Sequence, residues 1–201
     1  MGTKTNSPQR VKRTRERTFS AHHILLRTAR RALERAEADE EGSMLEALTA
    51  LTFAALAVEA ICNSIGETVI PDWKDFESAT PIAKSRLIAE HLEVTYDKAG
   101  NPWQTVRWLV GFRSKIAHAK LEVVTEEKIL TQAEAEQQRF DIPESKLEKD
   151  ITVKNASRAV AAVENFMDML VAKVPEELRI GLRADGFEST ISLHPPLGAG
   201  N

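Results

Sequence analysis

Residues 43–66 read Ser43-Met-Leu-Glu-Ala-Leu-Thr-Ala-Leu-Thr-Phe-Ala-Ala-Leu-Ala-Val-Glu-Ala-Ile-Cys-Asn-Ser-Ile-Gly66. Met44, Leu48, Leu51, Ala55, Val58, Cys62 and Ile65 step alternately by four and three, the spacing of one face of an α-helix. Ser43 is placed to cap this helix and Gly66 to end it. Upstream, Ile24, Leu25, Leu26, Ala29, Ala32, Leu33 and Ala36 repeat at helical spacing, so a first helix is expected over 18–41, stopped by Gly42. Two helices joined by so short a turn pack antiparallel.

Downstream, the connection at 67–78 holds Trp73 and Phe76, which are expected to fold back onto the helices. Thr80-Pro81 opens a third helix, since proline at the first position forgoes no hydrogen bond. After a turn-rich loop at 96–101, Pro102 opens a fourth helix bearing Trp103, Val106, Trp108, Leu109, Val110, Phe112, Ile116 and Ala117. A helix apolar on nearly every side belongs at the centre of a bundle or under a partner's surface. Its tryptophans read as core or dimer contacts. Residues 121–150 are acidic, with nine acidic and four basic side chains between Glu122 and Asp150, and carry at most one exposed helix. A fifth helix follows from Thr152 to about Val174, closed by Pro175. The fold class expected is all-α: an up-and-down bundle of four to five helices over 18–175, with 121–150 inserted before the last. Residues 1–17 read as a flexible basic arm and 176–201 as a tail, in which the alternation of 189–193 permits a short strand.

Bulk properties narrow the function. Hydrophobic residues make up 42% and charged residues 28% of the 201, enough for a packed core. No apolar run is expected to reach the ~18 residues that span a membrane, and no apolar segment follows the N-terminal basic residues as in a secretory signal. The lone Cys62, flanked by Ile61 and Ile65, forms no internal disulfide and reads as a buried structural thiol in a cytoplasmic protein. No two of His22, His23, His91, His118 and His194 have the spacing of a helical zinc site, and no glycine-rich phosphate loop occurs, so no metal or cofactor is expected.

What remains is Leu109-Val-Gly-Phe-Arg-Ser-Lys-Ile-Ala-His-Ala-Lys120. Arg113 falls in the stripe of Val106, Leu109 and Ile116, where a cation needs an answering carboxylate or phosphate. Glu59, on the apolar face of the second helix, is the candidate, and a purely structural Arg113–Glu59 ion pair is one reading of the stripe. The net charge of −3 also hides a basic cluster, with five basic residues and one acidic residue from Arg10 to Arg17. Such a cluster, including Arg13 and Arg15, can gather phosphates by counterion release or simply be solvated.

The segment from Arg113 to His118 resembles the Arg-x4-6-His signature of the HEPN superfamily of helical bundles. Further likenesses are Val58-Glu-Ala-Ile-Cys-Asn63, the Thr80-Pro81 helix with Lys84, the Gly100-Asn-Pro-Trp103 approach and the closing helix after an insertion. The likeness spans roughly 20–174. The same spacing also joins Arg17 to His22 and Arg86 to His91, but only the third pair follows a long apolar helix. The resemblance implies metal-independent cleavage of RNA by attack of the 2′-hydroxyl, in a toxin or defence role with an antitoxin or regulatory partner. Arg113 and His118 would be catalytic, Ser114 and Glu59 supporting, and Lys115, Lys120, Arg13 and Arg15 would contact RNA. Five residues of helix turn through about 500° and rise about 7.5 Å, so one motif makes a sparse site. The family's solution, a homodimer, would here use the helix from Trp103 to His118. Many active members carry Asn, Asp or His where this chain has Ser114, so the alternative expectation is a catalytically inactive module that binds RNA, a nucleotide or a protein.

Overall fold

In a computed structural model, residues 11–183 and 186–193 of the chain are described. They form strand β1 (Val11–Thr18), helices α1 (Ala21–Ala38), α2 (Ser43–Val69), α3 (Pro81–His91), α4 (Trp103–Ala117), α5 (Gln132–Gln137) and α6 (Val153–Val171), and strand β2 (Gly186–Leu193). The chain is mostly helical, with α1, α2, α3, α4 and α6 in the bundle and α5 a short exposed helix in the acidic segment.

The central element is α2, which touches α1, α3, α4 and α6. Its stripe residues Leu51, Ala55, Val58, Cys62 and Ile65 are buried, as the spacing requires. Ala47, Ala50, Ala54 and Ala57, which lie off that stripe, are buried too. Alanine has so little side chain that neighbouring helices close on α2 from several sides, burying apolar area on each. Its first turn leaves apolar side chains open, with Met44 and Leu45 exposed. By length and composition α2 could cross a membrane, with a mean hydropathy of 1.8 over its most apolar stretch, which corrects the sequence expectation that no such run exists. Four helices of the bundle occupy its faces instead.

Two punctuation marks differ from the sequence reading. Gly42, at φ 84°, is itself the N-cap of α2, and Ser43 is already helical. That left-handed turn suits glycine and lets α1 return along α2 after four residues, 39–42. Gly66 does not stop α2, which runs on to Val69. It instead makes room for Trp73, because a Cβ there would lie 2.4 Å from the indole. The connection folds back as expected, with Trp73 buried and Phe76 at its edge.

α3 starts where Thr80-Pro81 predicts, the Thr80 hydroxyl accepting from the Ala83 amide. α6 starts likewise, with Thr152 accepting from Asn155. α4 is not the centre of the bundle: it buries one face through Trp103, Val106, Leu109 and Phe112 and leaves Trp108, Val110 and Ile116 half-covered. Trp103 pins its start, donating from Nε1 to the Thr95 carbonyl at 3.1 Å and packing edge-on to Phe166. Trp108 is occupied within the chain, stacked on Phe112 and capped by the Arg158 guanidinium.

Residues 11–17, read from sequence as part of a flexible arm, form a strand paired antiparallel with β2 from the expected tail. Val11 aligns with Leu193 and Thr18 with Gly186. The described side chains of this ribbon are exposed on both faces, so neither strand needs the apolar alternation by which a half-buried strand is found. The ribbon is rooted in the bundle. Ser20 donates to the Gly181 carbonyl at 2.7 Å, and buried His22 bridges the Leu182 carbonyl and the Ser64 hydroxyl, each at 3.1 Å. Residues 1–10 of the expected arm and 194–201 of the tail lie outside the described residues.

Candidate functional site

The polar residues that the bundle brings together sit where α2, α3 and α4 meet. Glu59 and Asn63, one turn apart on α2, face Lys84 from α3. The Lys84 side chain is 1% exposed, and its Nζ donates to Asn63 Oδ1 at 2.9 Å and lies 3.8 Å from Glu59 Oε1. The other carboxylate oxygen, Glu59 Oε2, lies 3.8 Å from Arg113 Nη2. One carboxylate thus stands between two cations, one sealed in the bundle and one near its surface.

Burial decides what each contact does. Withdrawing a lysine from water costs several kcal/mol unless anionic and dipolar groups answer it, so the core fixes Glu59 and Asn63 around Lys84. Arg113 is 42% and Glu59 33% exposed, so their pair is screened and contributes about 0–1 kcal/mol. The sequence pattern pairs Arg113 with Glu59, and the two do meet. The pair is not the buried one that the apolar stripe suggests, because α4 lies on the flank. Lys84 and Asn63 are the members that residue-by-residue reading leaves out of the site. Asn63 lies four residues after Glu59, a spacing that puts both on one helix face and is a usable signal.

Cys62, one residue before Asn63, is buried with its thiol 3.9 Å from the Pro81 carbonyl. Burial is the main cause that pushes this thiol up to about 12, with Lys84 pulling it down and Glu59 adding to the rise. It is a structural thiol, as its apolar flanks imply.

The other end of the motif is built differently. His118 is the C-cap of α4, where its backbone N–H donates to the Ser114 carbonyl at 3.1 Å. Its side chain is exposed and enters no hydrogen bond or ion pair among the described residues. Ser114 is exposed and meets His118 only through that backbone bond. Arg113 and His118 are not in described contact, as a separation of about 500° leads one to expect. Beyond the helix end, Lys115 and Lys120 line a groove of about 590 Å³ with Lys146, Glu122 and Glu148. Lys115 also pairs with Asp150 at 3.1 Å, which ties the end of the acidic segment to α4. Between these ties the segment is open, with Leu121, Val123, Ile129, Phe140 and Ile142 exposed.

Arg13 and Arg15 lie away from this site on β1. Among the described residues no three His, Cys, Asp or Glu side chains converge as a metal site would need. No protein-family model, curated protein or solved structure matches the chain.

Proposed function

We propose that this protein is a metal-independent endoribonuclease of the HEPN type, acting as a homodimer in which α4 and His118 of two copies line one cleft. One observation carries the reading. Arg113 is held at the bundle surface by a carboxylate that a buried lysine fixes, about one and a half turns before an exposed imidazole on the same helix.

The chemistry asks for a proton shuttle and a cation. The RNA 2′-oxygen attacks the adjacent phosphorus and the bond to the 5′-oxygen breaks, leaving a 2′,3′-cyclic phosphate and a 5′-hydroxyl. Imidazole takes and returns protons near neutral pH, so one His118 accepts the 2′-hydroxyl proton and returns it to the leaving 5′-oxygen. The Arg113 guanidinium binds two phosphate oxygens at once and stabilises the charge that grows on them. Glu59 on α2 gives Arg113 an anionic partner within the chain. Lys115, Lys120 and Lys146 border the groove where the RNA backbone would leave the cleft. The half-covered Val110 and Ile116 are the surface that a second copy would cover, and an antitoxin-like partner would restrain such an activity in the cytoplasm.

A second reading, a catalytically silent module that binds RNA or protein, is favoured by the unsupported His118 and by Ser114 in the position after the arginine. Incubating mixed RNA with the protein in EDTA separates the two. The ribonuclease reading expects products with cyclic phosphate ends from the wild type and none from His118→Ala or Arg113→Ala, with helicity unchanged. Intact RNA after incubation with folded wild type leaves the silent module.

A further inference from the structure

Pairing β1 with β2 sorts the side chains of the ribbon. Residues directly opposite share a face, and alternate residues along a strand change face. Arg13 aligns with Ile191, Arg15 with Ser189 and Arg17 with Phe187. Lys12, Thr14 and Glu16 align with Ser192, Thr190 and Glu188 on the opposite face. Both glutamates of the ribbon therefore fall on one side, and the described strand residues on the side with three arginines include no carboxylate.

That arginine face is open. Phe187 is 64% and Ile191 67% exposed, and Val11 and Phe19 are exposed as well. Arg17 stacks over the Phe19 ring at 5.2 Å and aligns with Phe187 across the ribbon. Arg13 and Arg15 enter no ion pair among the described residues. Apolar and aromatic side chains left in water on a protruding ribbon, interleaved with cations, mark a binding surface rather than a core element.

We infer that this face binds single-stranded RNA, Arg13 and Arg15 on successive phosphates and Phe187 with Phe19 under the bases. Same-face residues on a strand repeat every ~6.8 Å, a spacing comparable to that of neighbouring phosphates on an extended single strand. A repeating cation matches a repeating anion. Guanidinium grips phosphate with two parallel hydrogen bonds, and an aromatic face accepts any base, so the surface takes strands with little regard to sequence. Duplex bases are stacked on each other and offer Phe187 nothing. The ribbon roots on α2 through Ser64, the residue after Asn63, so strand capture and the α2–α4 site are attached to the same turn of one helix. The choice of RNA over other single strands rests on the ribonuclease reading, which the capture surface would feed.

Fluorescence anisotropy of a labelled single-stranded RNA and of its duplex, titrated with full-length His118→Ala protein over a range of salt, tests this without cleavage. Arg13→Gln with Arg15→Gln should weaken single-strand binding and flatten the salt dependence by about 1.4, two contacts at about 0.7 each. Phe187→Ala should cost roughly tenfold on the single strand and leave the duplex unchanged. Lys12→Gln removes the same charge as Arg15→Gln from the opposite face and should leave both affinity and slope near the parent. An unchanged salt slope in the double arginine variant, or equal losses from Lys12→Gln and Arg15→Gln, would overturn the inference. So would a parent protein that leaves the RNA free throughout, which would pass the ribbon to a protein partner. These substitutions are on exposed strand positions, and circular dichroism checks that the bundle is intact. If RNA binds through this face but the wild type never cleaves it, the ribbon stands and the ribonuclease falls. If the wild type cleaves RNA and the ribbon variants bind it as the parent does, the ribonuclease stands and the ribbon falls.

Discussion

Arg113 and His118 are five residues apart on one helix, yet the molecule treats them in opposite ways. Arg113 is linked through Glu59 to Lys84, whose side chain is 1% exposed, so the bundle carries the cost of a buried charge to fix that end. His118 caps the same helix with its backbone and offers its imidazole to solvent. Within one copy, then, Arg113 has a partner and the His118 side chain has none among the described residues. Under the proposed ribonuclease reading, a site that needs both would be completed by what arrives at the end of α4, whether a second copy or RNA. The asymmetry also makes the comparison breakable, because the two ends should respond differently to mutation.

The largest effect falls on the supported end. Lys84→Ala leaves a cavity, a Glu59 answered only by the partly exposed Arg113 and an unpaired Asn63 amide oxygen, and should cost about 3–5 kcal/mol in urea unfolding. Lys84→Met, which fills the space without the charge, should recover much of that stability while leaving Arg113 unsupported. If Lys84→Ala unfolds like the wild type, the buried connection is not what fixes Glu59. Next comes the packing behind it. Gly66→Ala drives a methyl into the Trp73 ring and should cost about 1–3 kcal/mol, with a shift in tryptophan fluorescence.

A pH scan sharpens the same comparison. The Cys62 thiol is raised by burial from its ordinary 9.0 to about 12. The folded state therefore holds this proton more tightly than the unfolded chain does. Its contribution is fully present below pH 9 and is lost as pH rises from 9 towards 12. Cys62→Ala should flatten that alkaline decline relative to the wild type, and an identical decline in both would assign it to other groups. The smallest effect belongs to the surface. His118→Ala should be within ~0.5 kcal/mol of wild type, well below the cost of Glu59→Gln, which removes the anion beside buried Lys84.

Much of the bundle is legible in the sequence because its signals are local. The stripe from Leu51 to Ile65, the Thr80-Pro81 start and the Thr152 start each depend on a few neighbouring residues. Gly66 misleads because a glycine that ends a helix and one that admits an indole look alike until Trp73 is in place. The centrality of α2 is hidden in its alanines, which count as weakly apolar yet allow contact on several sides. β1 is invisible for another reason. Val-Lys-Arg-Thr-Arg-Glu-Arg-Thr has no buried face, and its partner lies at the other end of the chain. In the candidate site Arg113 and Glu59 can be matched by pattern, since each interrupts an apolar stripe. Lys84 cannot, because a lysine in a short, weakly amphipathic helix usually points to water, and only the approach of Asn63 and Glu59 from α2 reveals that this one does not.

If Arg113 and His118 act together in a site shared by two copies, mixing two disabled proteins should restore cleavage. Arg113→Ala and His118→Ala variants would be unfolded together, refolded to allow exchange of partners, and assayed on RNA in EDTA. The account predicts that each variant alone is inactive and that the mixture regains cleavage, because a mixed dimer holds one intact arginine and one intact imidazole in the shared cleft. A mixture as inactive as its parents, with mixed dimers demonstrated by mass, would contradict it.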